Sequence, residues 1–448
     1  MKKFIDSLVN VWKIEELKNR ILLTLGLLLV YRFGAQVTLP GIDATKLGNL
    51  TSQTDQGIGW LIDVFTGGAF SQASIFALGI MPYISASIVV QLMGIAVPYL
   101  QKLQKDGESG RKKINQITRW LTIAITLVQG PGYIYNLYST LPPDAFLLGF
   151  ESFQFLFSAV LILVTGTIFA MWLGEKITDK GIGNGISLLI MVGIIARMPQ
   201  AFMQEIGSRT SQANGGALMI VLEIIIWLLV IVACVLLVMA VRKIQVQYAR
   251  RSVSGDYEQD LMGGDRQFIP LKLNASGVMP IIFAQAIMFI PAALAGLSES
   301  DNAQSIAAMF KNPFGLVYNL VFALLIIVFT YFYTAITIPT NKMADDLKRS
   351  GGFIPGIKPG SETSDFLDKI MSLITFPGSL YLALIAVFPA IAVSILGVQG
   401  SWGYFYGGTS LLIMVGVAID TIQQINSYLL NKHYDGLMKS GKNRKAVA

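Results

Sequence analysis

The chain has 448 residues, of which 53% are apolar and 14% charged, against roughly 25% charged in ordinary soluble domains. So few charges, with a mean hydropathy of +0.59, cannot clothe a soluble surface, and a polytopic membrane protein is the class implied. The net charge is +7, and lone copies of cysteine (Cys234) and histidine (His433) exclude an internal disulfide and a histidine-centred metal cluster.

Residues 1–20 mix Lys2, Lys3, Lys13, Lys18 and Arg20 with Asp6, Glu15 and Glu16, and no unbroken apolar core follows the basic start, so a cleaved signal peptide is not expected. Phe4, Ile5, Leu8, Val11, Trp12 and Leu17 recur at helical spacing, which predicts an amphipathic helix on a membrane surface. A helix needs about 20 residues to cross a hydrocarbon core. Runs of that length fall near 21–37, 76–99, 118–138, 153–173 and 184–203, then near 217–241, 274–296, 314–339, 370–396 and 407–430. These ten spans predict an all-α polytopic membrane protein. A further apolar stretch near 58–72, IGWLIDVFTGGAFSQ, is too short and too broken by glycine to cross.

Lysine and arginine set the direction of insertion. Segments 1–20, 100–119, 174–183, 242–273, 340–369 and 431–448 hold 29 of the 34, leaving Arg32, Lys46, Arg197, Arg209 and Lys311 for the opposite side. Both termini and the two large loops, 242–273 and 340–369, are therefore expected in the cytoplasm.

GISLLIMVG (185–193) opens span five and GTSLLIMVG (408–416) opens span ten, one difference in nine. GIMPYI (79–84) and GVMPII (277–282) open spans two and seven, again five spans apart. An odd separation makes the counterparts cross in opposite directions, so two inverted halves of five spans are expected, 21–206 and 207–430, with a pathway where they meet.

Ionisable residues mark small-solute transporters at mid-membrane, yet here Glu175, Arg197 and Glu223 lie towards span ends and Asp420 is the one acid well inside. Asp420 reads as a helix contact or as a proton relay. The repeat register pairs Ile190 with Ile413 and Ile84 with Ile282; four such side chains form a dewetting constriction if they converge, or ordinary packing if they do not. Ser85, Ser87 and Gln91 on span two, and Asn274, Ser276 and Gln285 on span seven, suit a weak seam between helices at about 1 kcal/mol or less per contact, or ordinary packing. No catalytic residues, cofactor or metal site are expected: GIGNG (181–185) lacks the lysine of a phosphate-binding loop and sits at the turn into span five.

Six blocks carry a resemblance: TGGAFSQASIFALGIMPYISASIVVQL (66–92), KDGESGRKKI (105–114), LVTGTIFAMWLGEKITDKGIGNGIS (163–187), IPLKLNASGVMP (269–280), GFIPGIKPG (352–360) and YFYGGTSLLI (404–413). Together they resemble the SecY/Sec61-alpha family of protein-translocation channels over about 20–435. The resemblance implies a ten-helix channel with a waist ring of Ile80, Ile84, Ile190, Ile282 and Ile413. It implies a plug near 61–74 (Val64, Phe65, Thr66, Gly67, Gly68, Ala69 and Phe70), whose small residues fit a loosely packed segment that moves aside. Spans two and seven become a lateral gate releasing membrane segments into the lipid bilayer. Arg250, Arg251 and Lys358, in YARRS (248–252) and GIKPG (356–360), become docking residues for the ribosome or the motor ATPase SecA. Lys358 stands where the family usually has arginine, keeping the charge without the fork geometry. The small membrane subunits SecE and SecG and signal-sequence-bearing polypeptides complete the implied partners, in a bacterial inner membrane. The stretch 254–267 carries no match. The competing readings are an inverted-repeat transporter of a small solute, coupled through Asp420, and a scaffold with no conduction.

Overall fold

The computed structural model describes residues 12, 14–48, 63–146, 153–210, 216–248, 266–295, 312–398 and 400–445. Most of the N-terminal amphipathic stretch, Leu61, Ile62, Arg250 and Arg251, and all of 254–267 but its last two residues, lie outside the described residues.

A helix stands at each predicted span: one, Glu15–Gly34; two, Met81–Ala96; three, Gly107–Thr140; four, Phe153–Lys180; five, Gly185–Thr210; six, Gly216–Met239; seven, Met279–Ala295; eight, Leu316–Thr337; nine, Ser361–Leu396; ten, Gly408–Lys445. Among the described residues, six helices are long and apolar enough to cross a membrane by themselves, those of spans four, five, six, eight, nine and ten. Span two would be a seventh together with the helix Pro98–Lys105, across a break bent by 101°. The break has a local cause: Val97 is extended (φ −100°, ψ 114°), the conformation that a following proline imposes. Span one carries Glu15, Glu16, Lys18 and Arg20 in its first turns, and span seven is described over 17 residues.

The chain divides into two compact units. The first comprises Met1–Gly216, Gln399–Trp402 and Val417–Ala448. Its main core gathers Leu39, Ile42 and Leu47 from the loop after span one, Ala73, Ala77 and Leu78 before span two, Tyr133, Ile134 and Leu137 from span three, and Phe155, Ala159 and Leu163 from span four. Isolated bridges Thr38↔Ser74 and Ile42↔Phe146 tie these connections together. A smaller cluster sets Leu17 and Ile182 against Ile14, Ile21, Ile425 and Leu429.

The second unit comprises Ala217–Val398 and Gly403–Gly416. Here the loops expected from charge alone hold a folded element. Strands β1 (Val241–Tyr248), β2 (Arg266–Lys272) and β3 (Gly352–Phe353) form an antiparallel sheet ordered β2-β1-β3. Ile244, Val246 and Leu271 from the sheet pack on Leu347, Ile354, Leu367 and Met371. Pro270 lies in β2, at the edge of the sheet, where a missing N–H leaves no partner unsatisfied. Among the described residues the fold is thus all-α in its spans, with one small sheet built from two connections.

The duplicated sequence is matched by duplicated backbone. Gly79 (φ 50°) and Gly277 (φ 64°) take left-handed turns, and the helices behind them begin at Met81 and Met279, each with proline second. Spans five and ten begin at Gly185 and Gly408, the first residues of the repeated nonapeptides. Each half therefore starts its counterpart helices at the same residue of the repeat.

Candidate functional site

In the first unit, residues 63–74 follow no regular path beyond one helical turn, Asp63–Thr66. Val64, Thr66 and Ala69 are buried, and Phe65 and Phe70 are half-buried. Three helices grip the segment. Arg32 of span one donates Nη1–H to the Gly67 carbonyl at 2.7 Å, and the Tyr133 hydroxyl of span three donates to the Phe70 carbonyl at 2.9 Å. Arg197 of span five pairs with Asp63 and donates to Ser71 Oγ at 2.6 Å.

Gly67 (φ 68°) and Gly68 (φ 90°) occupy left-handed backbone, which glycine adopts without a Cβ penalty. A Cβ on Gly67 would fall 2.6 Å from Arg32 Nη1 and 2.7 Å from Gly193 Cα. These glycines serve close approach, which corrects the expectation of loose packing. The chain leaves the segment through Ala73, fully buried at φ 45°, and Phe76 stacks on Tyr31 and Phe169 at ring centroids of 5.6 and 6.0 Å.

The isoleucines occupy matched positions within their own helices. Ile84 and Ile282 are each the fourth residue of their helices, Met81–Ala96 and Met279–Ala295. Ile190 and Ile413 are each the sixth, in Gly185–Thr210 and Gly408–Lys445. Ile80 caps span two, one turn before Ile84, whose N–H reaches the Ile80 carbonyl at 3.0 Å. Ile80, Ile190 and Ile413 are buried; Ile84 and Ile282 are half-buried. Ile80, Ile84 and Ile190 belong to the first unit, Ile282 and Ile413 to the second.

The polar groups of spans two and seven make local bonds. Ser85 Oγ donates to the Met81 carbonyl at 3.1 Å, Gln91 Nε2 to Ser87 Oγ at 3.3 Å, and Ser276 Oγ to Asn274 Oδ1 at 3.3 Å. Gln285 and Ser276 are buried.

Lys358 stands exposed in a turn whose ends, Gly356 (φ 84°) and Gly360 (φ 114°), are both left-handed. Its ammonium meets Glu362 at 3.5 Å with both side chains in solvent, a pair worth about 1 kcal/mol at most. The GIGNG turn proves structural: Gly183 is left-handed (φ 81°), and Asn184 Oδ1 accepts the N–H groups of Ile186 and Ser187 at 3.2 and 3.3 Å, capping span five. Gly183 N–H reaches Gln424 Oε1 at 2.7 Å. Glu175 receives Arg119 in a two-pronged pair at 2.6 and 3.0 Å, and Asp420 is exposed. Among the described residues, no group of His, Cys, Asp and Glu is placed to hold a metal.

The ion pair Asp63–Arg197 and the Arg32 contact were not anticipated. Their signal was present as two arginines within the reach of apolar spans, each needing a partner.

A family model described as SecY matches residues 74–422. The chain is 41% identical over 431 residues to the protein translocase subunit SecY of Haemophilus influenzae, covering 95% of this chain and 94% of that protein. It is 39% identical to the Escherichia coli K12 protein of the same description over 430 residues, with 95% and 94% covered. Among solved structures, one described as a protein conducting channel superposes with a TM-score of 0.60 at 17% identity, covering 91% of both chains. Canine Sec61 in a ribosome-channel complex superposes with a TM-score of 0.54 at 16% identity over 91% of each.

Proposed function

Because the chain belongs to the SecY family of protein-conducting channels, we propose that Ile80, Ile84, Ile190, Ile282 and Ile413 form the waist through which an unfolded chain passes. The protein is a membrane channel subunit and not an enzyme, and the solute-transporter alternative finds no support among its relatives. The observation that supports this reading is the matched helix position of four isoleucines after two kinds of helix start, repeated in both halves. An aliphatic ring excludes water and ions by dewetting and presents no fixed charge to hold a passing chain.

In this reading the inverted halves are 21–206 and 207–430, residues 63–74 are the described part of the plug expected near 61–74, and Ser85, Ser87, Gln91, Asn274, Ser276 and Gln285 line a lateral seam that releases apolar segments to lipid. The bias of lysine and arginine supports cytoplasmic placement of both termini, in what this reading takes to be a bacterial inner membrane. Lys358, with Arg250 and Arg251, would meet the ribosome or SecA; structures of ribosome-bound channels share the fold. SecE and SecG would complete the channel.

The test places one cysteine at Ile413 in a Cys234→Ser background and stalls a cysteine-bearing secretory precursor midway through transport. Disulfide formation at 413, with lipid-facing control positions silent, is expected. Transport that proceeds with no crosslink at 413 would remove the ring from the path.

A further inference from the structure

Asp63 is the single charged residue in 63–74, and its side chain is 4% exposed. A carboxylate so far from water is costly unless it is paired and hydrogen-bonded. Here it is both. Oδ1 accepts the Ser71 N–H at 2.7 Å, and Oδ2 meets the Arg197 guanidinium. The same Arg197 nitrogen donates to Ser71 Oγ at 2.6 Å, while its other terminal nitrogen donates to Gln200 Oε1 at 3.0 Å. Arg197 is itself part of the apolar helix of span five, with its side chain 19% exposed, and an unpaired cation on such a helix is expensive. Each charge makes the other tolerable.

The bonds divide along a boundary. Asp63 and Ser71 belong to the segment, while Arg197 and Gln200 belong to span five. Withdrawal of the segment breaks its bonds to Arg197 together. The Arg32 contact differs in kind, because its acceptor is the neutral Gly67 carbonyl, for which water substitutes at little loss.

Resting on the reading of 63–74 as the plug, we propose that the Asp63–Arg197 pair is its latch, setting the free energy of the closed channel against the open one. Water is what releases such a latch: both ions regain hydration when the segment leaves, so opening is reversible and needs no chemistry. A client that opens the channel must outweigh this pair, and loosening it shifts the resting population towards open.

The test uses the full chain with its accessory subunits in vesicles, reading ion leak of the idle channel. Asp63→Asn and Arg197→Gln each should raise leak at least ~tenfold, equivalent to about 1.4 kcal/mol. The double variant should exceed neither single variant, and the exchange Asp63→Arg with Arg197→Asp should return leak to within about threefold of the parent. Single variants that leak like the parent, or a double variant whose effect is the product of the two singles, overturn the latch. Recovery by the exchange guards against a leak caused by misfolding.

A separate arm tests the plug reading. Phe70→Cys and Tyr133→Cys, in a Cys234→Ser background, replace rings whose centroids lie 4.9 Å apart, and a short reducible dithiol reagent joins them. Unimpeded translocation through the joined channel defeats the plug reading whatever the charge variants do. A joined channel that is blocked until reduced, alongside charge variants that do not leak, defeats the latch alone.

Discussion

Gly193→Ala and Gly416→Ala alter the same position of the repeated nonapeptide, in spans five and ten, and should differ sharply in effect. A Cβ on Gly193 falls 3.0 Å from the Phe65 carbonyl oxygen, 3.2 Å from Gly67 N and 3.3 Å from Gly67 Cα. All three are backbone atoms, so no rotamer change relieves them, and residues 65–67 must shift by a few tenths of an ångström. Overpacking of this kind costs about 1–3 kcal/mol. A Cβ on Gly416 meets only Val278 Cγ1, at 3.6 Å, an ordinary contact. Both replacements gain about 1 kcal/mol of helix propensity, which cancels in the comparison. The difference of about 1–3 kcal/mol should be expressed where the strain is relieved, by residues 65–67 easing away from span five. That corresponds to a rise of ~5–150-fold in the displaced population, read as idle ion leak in vesicles. Equal leak from the two variants, or a greater leak from Gly416→Ala, would refute the reasoning from close approach.

Gly166→Ala drives a Cβ into the Ile75 carbonyl oxygen and should destabilise the first unit by about 2 kcal/mol or more, whereas Gly26→Ala, inside a helix with open space around it, should raise the melting temperature slightly, by up to about 1 kcal/mol of helix propensity. Arg119→Ala removes a two-pronged pair, but Arg119 is 51% exposed; the loss in a thermal melt should be about 1 kcal/mol or less and should shrink further with added salt. Asp43 is held below its ordinary pKa of 3.8, first by the Thr45 N–H and then by the Thr45 hydroxyl. Because the folded-state value is the lower one, its contribution is full above 3.8 and disappears as pH falls through the depressed value. Asp43→Ala should therefore lower the melting temperature at neutral pH, and the difference from the parent should vanish as pH falls through the depressed value.

The ten spans were legible because hydropathy over twenty residues is a strong signal, and the matched helix positions of Ile84 with Ile282 and Ile190 with Ile413 because register within a repeat needs no knowledge of packing. Element ends were less secure. Span two was expected from residue 76, but the chain spends 75–80 in turns around Gly79 before the helix starts at Met81. The Val97–Pro98 dipeptide announced a break that the apolar run concealed. The sheet escaped notice because its strands lie in segments that charge marked as loops. Even so, Ile244, Val246 and Tyr248 alternate with Lys243, Gln245 and Gln247, the period of a half-buried strand. The latch was invisible for another reason. Asp63 and Arg197 are 134 residues apart, and no local window reports a contact of that range.

The sheet also turns two connections into one mechanical part. Tyr248 of β1 pairs with Gly352, six residues before Lys358 in the chain. β1 follows directly from span six, and β2 leads into span seven through the Gly277 turn. Spans eight and nine bracket β3 through the helix Thr340–Arg349 and the Gly356–Gly360 turn. A load applied at Lys358 is therefore borne by a truss anchored at four spans, and a partner seated there has hold of the unit's frame rather than of a tether.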